Sequence, residues 1–318
     1  MRNDFFPMHG IEAKLGSKIN EQKSPEQIRK IFQALNYDNI SDDTAMRLSL
    51  LSMPTKRRCS TFQDSEYICE ILPVTRMAEV NEIEAQTESV ASLEHDIGKT
   101  GPAKASLEEQ KSFVALFNLS FYQRQYDGLS PQELPLKKAL EIKVREEDLT
   151  REQAEEILQN VLSAVKKQKK MHFETKINAQ TPMGTVWAAH VYWTYEILKQ
   201  NERPDNEIDR RMTEIAACHH LLDDHDPMQK GIENADEGII SLELSDKYQA
   251  FRIRLILADK YQAFRERGAL NHEDAIKAVR KMIDDRLAGA GKTHELYLTF
   301  LRKLEENGET LEKELDLK

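Results

Sequence analysis

Apolar residues along this chain recur three and four positions apart through most of its length, and clear strict alternation is missing, so the pattern predicts helices rather than strands. Ser24-Pro25 opens the first helix, with Ser as N-cap and Pro in the first turn, ahead of the stripe Ile28, Ile31, Phe32, Leu35. A second helix near 42–53 follows Asp42 and Asp43, and Pro54 with Lys56-Arg57-Arg58 marks a boundary. Residues 1–23 read as loose, and residues 1–60 as a short N-terminal helical region. A helix from Glu66 breaks at Pro73 and resumes to Val80; Thr87-Glu88 opens another that buries Val90 and Leu93 and ends at Ile97-Gly98.

The stretch 106–180 is long and charge-rich. Within it Thr150-Arg151-Glu152-Gln153 forms a capping box that predicts a helix to about Val165, followed by the basic run Lys166 to Lys170. Further helices are predicted over 187–198, 208–222, 248–264 and 273–287, with a last one from Thr293 leading to an acidic tail over 306–318. The fold class expected is all-α. The hexapeptide DKYQAF occurs at Asp246–Phe251 and again at Asp259–Phe264; thirteen residues on one helix rotate the copies by about 220°, so only one can face a given site.

Composition narrows the function classes. The 318 residues are 40% hydrophobic, enough for a sizeable core, and 31% charged with a formal net charge of -10. That balance argues against general nucleic-acid binding, and an acidic protein that handles phosphates needs a metal or a few placed cations. Three cysteines, Cys59, Cys69 and Cys218, make no disulfide framework and fit a reducing compartment. The start, MRNDFFPMHG, has no apolar signal-peptide region, and no run approaches the roughly 18 apolar residues of a membrane span. The expectation is a cytoplasmic protein with no membrane partner.

Several residues carry candidate chemistry. His95-Asp96 at a helix end lets imidazole and carboxylate reach one metal, and Lys99, three residues on, is placed to contact a phosphate that the metal also holds. Gly98 and Gly101 permit close backbone approach. Cys218-His219-His220 closes an amphipathic helix whose face Ile208, Met212, Ile215 leads toward His219, and Asp223, Asp224, His225 and Asp226 follow. His190 lies on an otherwise apolar helix, where a packed core histidine is the bland alternative. Asp259 follows four apolar residues, a costly place for a carboxylate without a metal or a cation such as Arg265 or Arg267 as partner. The Gly-Lys-Thr triplets at 98–100 and 291–293 lack the earlier glycine and the preceding strand of a phosphate-binding loop. Trp187, Tyr192, Trp193 and Tyr195 read as packing.

Taken in order, HDIGKTGP from His95, HVYWTYEIL from His190, CHH at 218–220 and ADKYQAF from Ala258, with GKTH from Gly291, resemble the HD superfamily of metal-dependent phosphohydrolases. The nearest likeness is the HD-GYP branch, which hydrolyses cyclic di-GMP, and it covers about residues 62–305. The resemblance implies an HD-domain helical bundle over 61–305. It implies a centre of two divalent ions (Fe, Mn, Ni or Zn), with Asp96 bridging, His95 and Asp259 on the first ion, and His190, His219 and His220 on the second. Lys99 would contact the substrate phosphate, with Arg265 and Arg267 as further cations. The substrate would be a nucleotide or cyclic dinucleotide, attacked by metal-activated water.

The chain departs from that branch at several positions. No histidine stands between His9 and His95, and Glu70 or Glu66, one turn apart, is the candidate to replace the upstream ligand. Leu221 and His225 stand where the branch has Glu and Gly, Gln262 stands where Asp is usual, and the interval from Pro102 to His190 is long. Two other classes stay open: a degenerate domain that binds a nucleotide as a sensor without hydrolysis, and a helical scaffold for protein partners. Residues 1–60 are candidates to cap the site or to meet another subunit of a homo-oligomer.

Overall fold

The computed structural model describes residues 22–52, 90–119, 121, 125–168, 177–220, 222, 246–266 and 270–314. The helices expected over 66–80, the start of the one at 87, Glu66, Glu70, Arg267, Cys59, Cys69, Leu221 and the 223–227 run lie outside the described residues.

The fold is all-α, as expected from the period. Its helices are α1 (Pro25–Ala34), α2 (Asp42–Leu51), α3 (Leu107–Phe117), α4 (Leu136–Arg145), α5 (Arg151–Lys167), α6 (Met183–Asn201), α7 (Glu207–Ala217), α8 (Asp246–Glu266), α9 (His272–Leu287) and α10 (Lys292–Glu314). A helical stretch over 90–94 and a 3-10 turn, Ile97–Thr100, complete the set. Among the described residues there is no strand, only the isolated bridges Tyr126–Leu129 and Pro135–Pro182. None of these helices is long and apolar enough to cross a membrane.

Local chemistry sets the boundaries. Ser24 with Gln27, and Thr150 with Gln153, form the reciprocal caps of a capping box and start α1 and α5. Ser106 with Glu109 does the same for α3, and α4 begins behind Pro135; both helices fall in the long charged stretch where the pattern had predicted helix only from Thr150. Other differences lie at helix ends. The stretch carrying Val90 and Leu93 stops at 94, so His95 and Asp96 form a turn before the 3-10 segment. Helix α7 ends at Ala217 with Cys218 as its cap, which places His219 and His220 in the following turn rather than inside the helix. Helix α8 contains both DKYQAF copies on one continuous rod, and α10 runs on to Glu314, through most of the tail.

Two apolar cores meet along one helix. The first gathers α1, α2, residues 90–97, α7–α10 and the C-terminal end of α6, including Ile197 and Leu198. The second gathers α3, α4, α5 and the N-terminal half of α6, from Met183 to Trp193. Trp193 is fully buried and packs edge-on against Phe113, and Trp187 packs on Phe121, which is the packing role read from the sequence. Helix α6 is thus shared by both cores, and His190 and Thr194 sit near the handover, opposite the turn that carries His95 and Asp96.

Candidate metal centre

The approach of α6 to the 95–100 turn depends on a missing side chain. A Cβ on Gly98 would lie 1.9 Å from the His190 carbonyl oxygen and 2.5 Å from the Thr194 nitrogen. With hydrogen there instead, the Gly98 N–H donates to Thr194 Oγ1 at 3.0 Å, and that hydroxyl donates to the His95 carbonyl at 2.9 Å. Arg47 of α2 secures the other end. Its guanidinium is fully buried and donates to Thr100 Oγ1 (2.8 Å) and to the carbonyls of Gly101, Pro102 and Ala103 (3.3, 3.2 and 3.0 Å). Gly101 adopts φ +83°, and Phe113 fills the space a Cβ would need, so this turn accepts only glycine there.

Held this way, four side chains from three separate segments converge. His190 Nε2 lies 3.4 Å from Asp96 Oδ1, His219 Nε2 lies 3.5 Å from the same oxygen, and His95 Nε2 lies 3.5 Å from Asp96 Oδ2. The two Nε2 atoms of His190 and His219 are 3.2 Å apart. All four residues are buried: His95 and His219 show 0% exposure, Asp96 1% and His190 3%.

Each of the three imidazoles is oriented the same way. The Nδ1–H of His95 donates to the Ser92 carbonyl at 2.7 Å, that of His219 to the Ala216 carbonyl at 2.7 Å, and that of His190 to the Trp187 carbonyl. A carbonyl oxygen only accepts, so the proton is on Nδ1, and in the neutral ring the lone pair is on Nε2. Three lone pairs therefore face one carboxylate, and neighbouring lone pairs at this separation repel unless positive charge lies among them.

A divalent cation fits this requirement. Ligand atoms bound to one ion at about 2.0–2.2 Å stand about 3–3.5 Å from each other, and the separations here run from 3.2 to 3.5 Å. Imidazole nitrogen with carboxylate oxygen suits borderline metals such as Zn, Mn, Fe or Ni. The groups that could hold an ion fall, among the described residues, into two overlapping triads, His95–Asp96–His219 and His190–His219–His220, within each of which one ligand atom per residue lies within 4.8 Å of the others. His219 is common to both triads.

Electrostatics favour the protonation states a metal needs. Burial lowers the basicity of all three α6–α7 imidazoles: His190 is held below the usual histidine value, His219 is pushed down to about 4, and His220 is held well below, with Lys260 adding to the effect. They are neutral near pH 7. Burial opposes the charge of Asp96, but Lys99, whose ammonium contacts Oδ2, outweighs it and holds the carboxyl well below its ordinary range. Asp259 behaves alike: burial resists ionisation, and Lys260, 2.8 Å from Oδ2, outweighs it.

The remaining candidates fall around this cluster. His220 packs edge-on against His190 and His219, at ring-centroid distances of 4.9 and 4.3 Å. Its Nδ1 accepts from Lys260 Nζ at 3.4 Å, so its neutral tautomer is opposite to that of the other three. Asp259 is buried on α8, beside Lys260 and close enough to Asp96 for that carboxylate to raise its pKa. Arg265 is held elsewhere: six residues on from Asp259 it points about 240° around the helix, and its guanidinium donates to the Leu270 carbonyl at 2.6 Å. Three contributors escaped the sequence reading. Lys260 had a signal, since it stands inside the ADKYQAF motif beside Asp259. Arg47 and Thr194 had none, because each acts across more than fifty residues of chain. No protein-family model, curated protein or solved structure matches this chain.

Proposed function

We propose that this chain is a metal-dependent phosphohydrolase that cleaves a phosphate ester or phosphodiester of a nucleotide or cyclic dinucleotide. The supporting observation is the convergence of three Nε2 lone pairs on one ionised, buried carboxylate, with each ring proton held on a carbonyl three residues back. A divalent cation bound there supplies a water of lowered pKa and positive charge against a phosphoryl oxygen.

The chain's own groups have distinct parts. His95, Asp96, His190 and His219 would hold a cation, with His220 and Asp259 flanking as candidates for a second. The Nδ1 hydrogen bonds fix the rings, so little order is lost on binding. Lys99 keeps its Asp96 partner ionised and, with a side chain 19% exposed against 1% for Asp96, is the cation best placed to meet a phosphate entering from solvent. Water adds to phosphorus, the P–O ester bond breaks, and the leaving oxygen takes up a proton. The nucleotide class follows from the ordered likeness of HDIGKTGP, HVYWTYEIL, CHH and ADKYQAF to the HD superfamily.

The test is turnover of bis(p-nitrophenyl) phosphate by protein loaded with Mn2+ or Fe2+. Wild type is expected to release nitrophenol, Asp96→Ala to fall to background, and Lys99→Ala to lose about 10²–10³-fold. Full activity in Asp96→Ala overturns the proposal.

A further inference from the structure

The buried groups of the centre are bordered by side chains that are only half-buried: Lys99 and His220, and on the α3 flank Phe117 and Trp187. The aromatic flank follows from the way α3 crosses α6. Phe113 and Phe117 stand four residues apart and share one face of α3. Phe113 packs edge-on against Trp193, ring centroids 5.0 Å apart, and Phe117 packs edge-on against His190 at 5.6 Å. One turn forward along α3 is therefore about one turn back along α6, and the two helices run antiparallel there. At the Phe113 end the seam is closed, since Phe113 and Trp193 both show 0% exposure. At the Phe117 end it opens toward solvent, beside a histidine of the centre.

The two half-buried rings of this flank differ in their commitments. Trp187 packs on Phe121, centroids 5.9 Å apart, and its carbonyl accepts the His190 Nδ1–H. Phe117 is the last residue of α3, ahead of the exposed Asn118, and among the described residues His190 is its one ring contact. It stands one imidazole away from the Asp96 carboxylate, because His190 lies between them with Nε2 3.4 Å from Oδ1. In a nucleotide, one sugar separates the base from its phosphate. A phosphate held beside Asp96 and Lys99 thus has its base within reach of the Phe117 ring. An aromatic ring favours any flat base, since every base has a π-face, and offers little to a phosphate ester that lacks one.

We infer that Phe117 is a specificity-determining residue: its ring is the surface on which the substrate's nucleobase packs. The centre then selects base-bearing phosphates over sugar phosphates of the same charge. The inference rests on the reading of the centre as one that binds nucleotide phosphates, and it assigns the base to the end of α3, a helix supplied by the long interval between Pro102 and His190.

The test is titration calorimetry of the full chain, loaded with Mn2+, against AMP, GMP and ribose 5-phosphate. Wild type is expected to bind both nucleotides about 5–100-fold more tightly than the sugar phosphate. Phe117→Leu keeps an apolar side chain against the second core, so it is expected to lose most of that preference while its Mn2+ content and its affinity for ribose 5-phosphate stay at the wild-type level. Phe117→Tyr keeps the ring and is expected to keep the preference. A ring that serves packing alone would give the same ratio in the leucine variant. Equal affinity of wild type for all three ligands, or a preference that survives in Phe117→Leu, overturns the inference and leaves phosphate binding standing. If none of the three binds, the phosphohydrolase reading itself fails and the inference falls with it.

Discussion

Replacing Gly98 by alanine probes the joint on which the whole cluster depends. The added carbon would meet the His190 carbonyl at 1.9 Å and the Thr194 nitrogen at 2.5 Å, both backbone atoms of α6 that cannot swing aside. Ordinary contact begins near 3.5 Å, so the turn and the helix must part by roughly 1.5 Å. That opens the 3.0 Å bond from Gly98 N–H to Thr194 Oγ1 and strains the one from Thr194 to the His95 carbonyl. Overpacking of this kind costs about 1–3 kcal/mol, and two weakened or lost hydrogen bonds add up to about 0.5–1.5 kcal/mol each, for a total of about 2–6 kcal/mol. The same shift carries His190 away from Asp96, so affinity for Mn2+ is expected to fall about 10–100-fold. Urea unfolding gives the stability and titration calorimetry gives the affinity. An alanine variant with the wild-type urea midpoint and wild-type Mn2+ affinity would refute the reasoning, since α6 would then have no need of that contact.

Further outcomes follow from the same geometry. Arg47→Met removes the guanidinium that satisfies Thr100 and three carbonyls of the 101–103 loop; leaving them buried is expected to cost about 3–5 kcal/mol in urea unfolding, and a loss under 1 kcal/mol would show that the loop is held by other means. Glu109 joins α3 to α5: burial works against its charge, but Lys167, the Ser106 N–H and the Ser163 hydroxyl outweigh burial and lower its pKa below the ordinary 4.5. A lowered folded-state pKa contributes stability that is present above 4.5 and lost as pH falls through the folded value. Glu109→Gln is therefore expected to be less stable than wild type at pH 7 by about 1–2 kcal/mol, with the gap closing below the folded value; an equal gap at pH 3 and pH 7 would contradict this assignment.

Much of the fold was legible because its signals are local. The capping boxes at Ser24 and Thr150 start helices where the side chains themselves compete for the first free N–H groups. The box at Ser106 has the same form, but the charges around it masked the apolar stripe of α3. In the centre, His95, Asp96, His190, His219 and His220 were recognisable as ligand types placed on buried positions or at helix ends. What the linear pattern could not disclose was contact between distant segments. Thr194 binds Gly98 from 96 positions away, and Arg47 reaches its loop across 53. The tautomers of His95 and His219 likewise depend on where a helix ends, since each ring follows its last turn and bonds back to the Ser92 or Ala216 carbonyl, whereas His190 reaches the Trp187 carbonyl from within α6. Arg265 shows the converse: a cation near Asp259 in sequence is turned by the helical period onto another face.

The claim beneath all of this is that the histidines and Asp96 hold a divalent ion. Metal analysis of purified protein after saturation with Mn2+ and exhaustive gel filtration tests it most directly, with wild type and a His190→Ala, His219→Ala double variant run side by side. Wild type is expected to retain at least one ion per chain and the double variant almost none. Equal metal content in the two proteins, or none in wild type, would contradict the account.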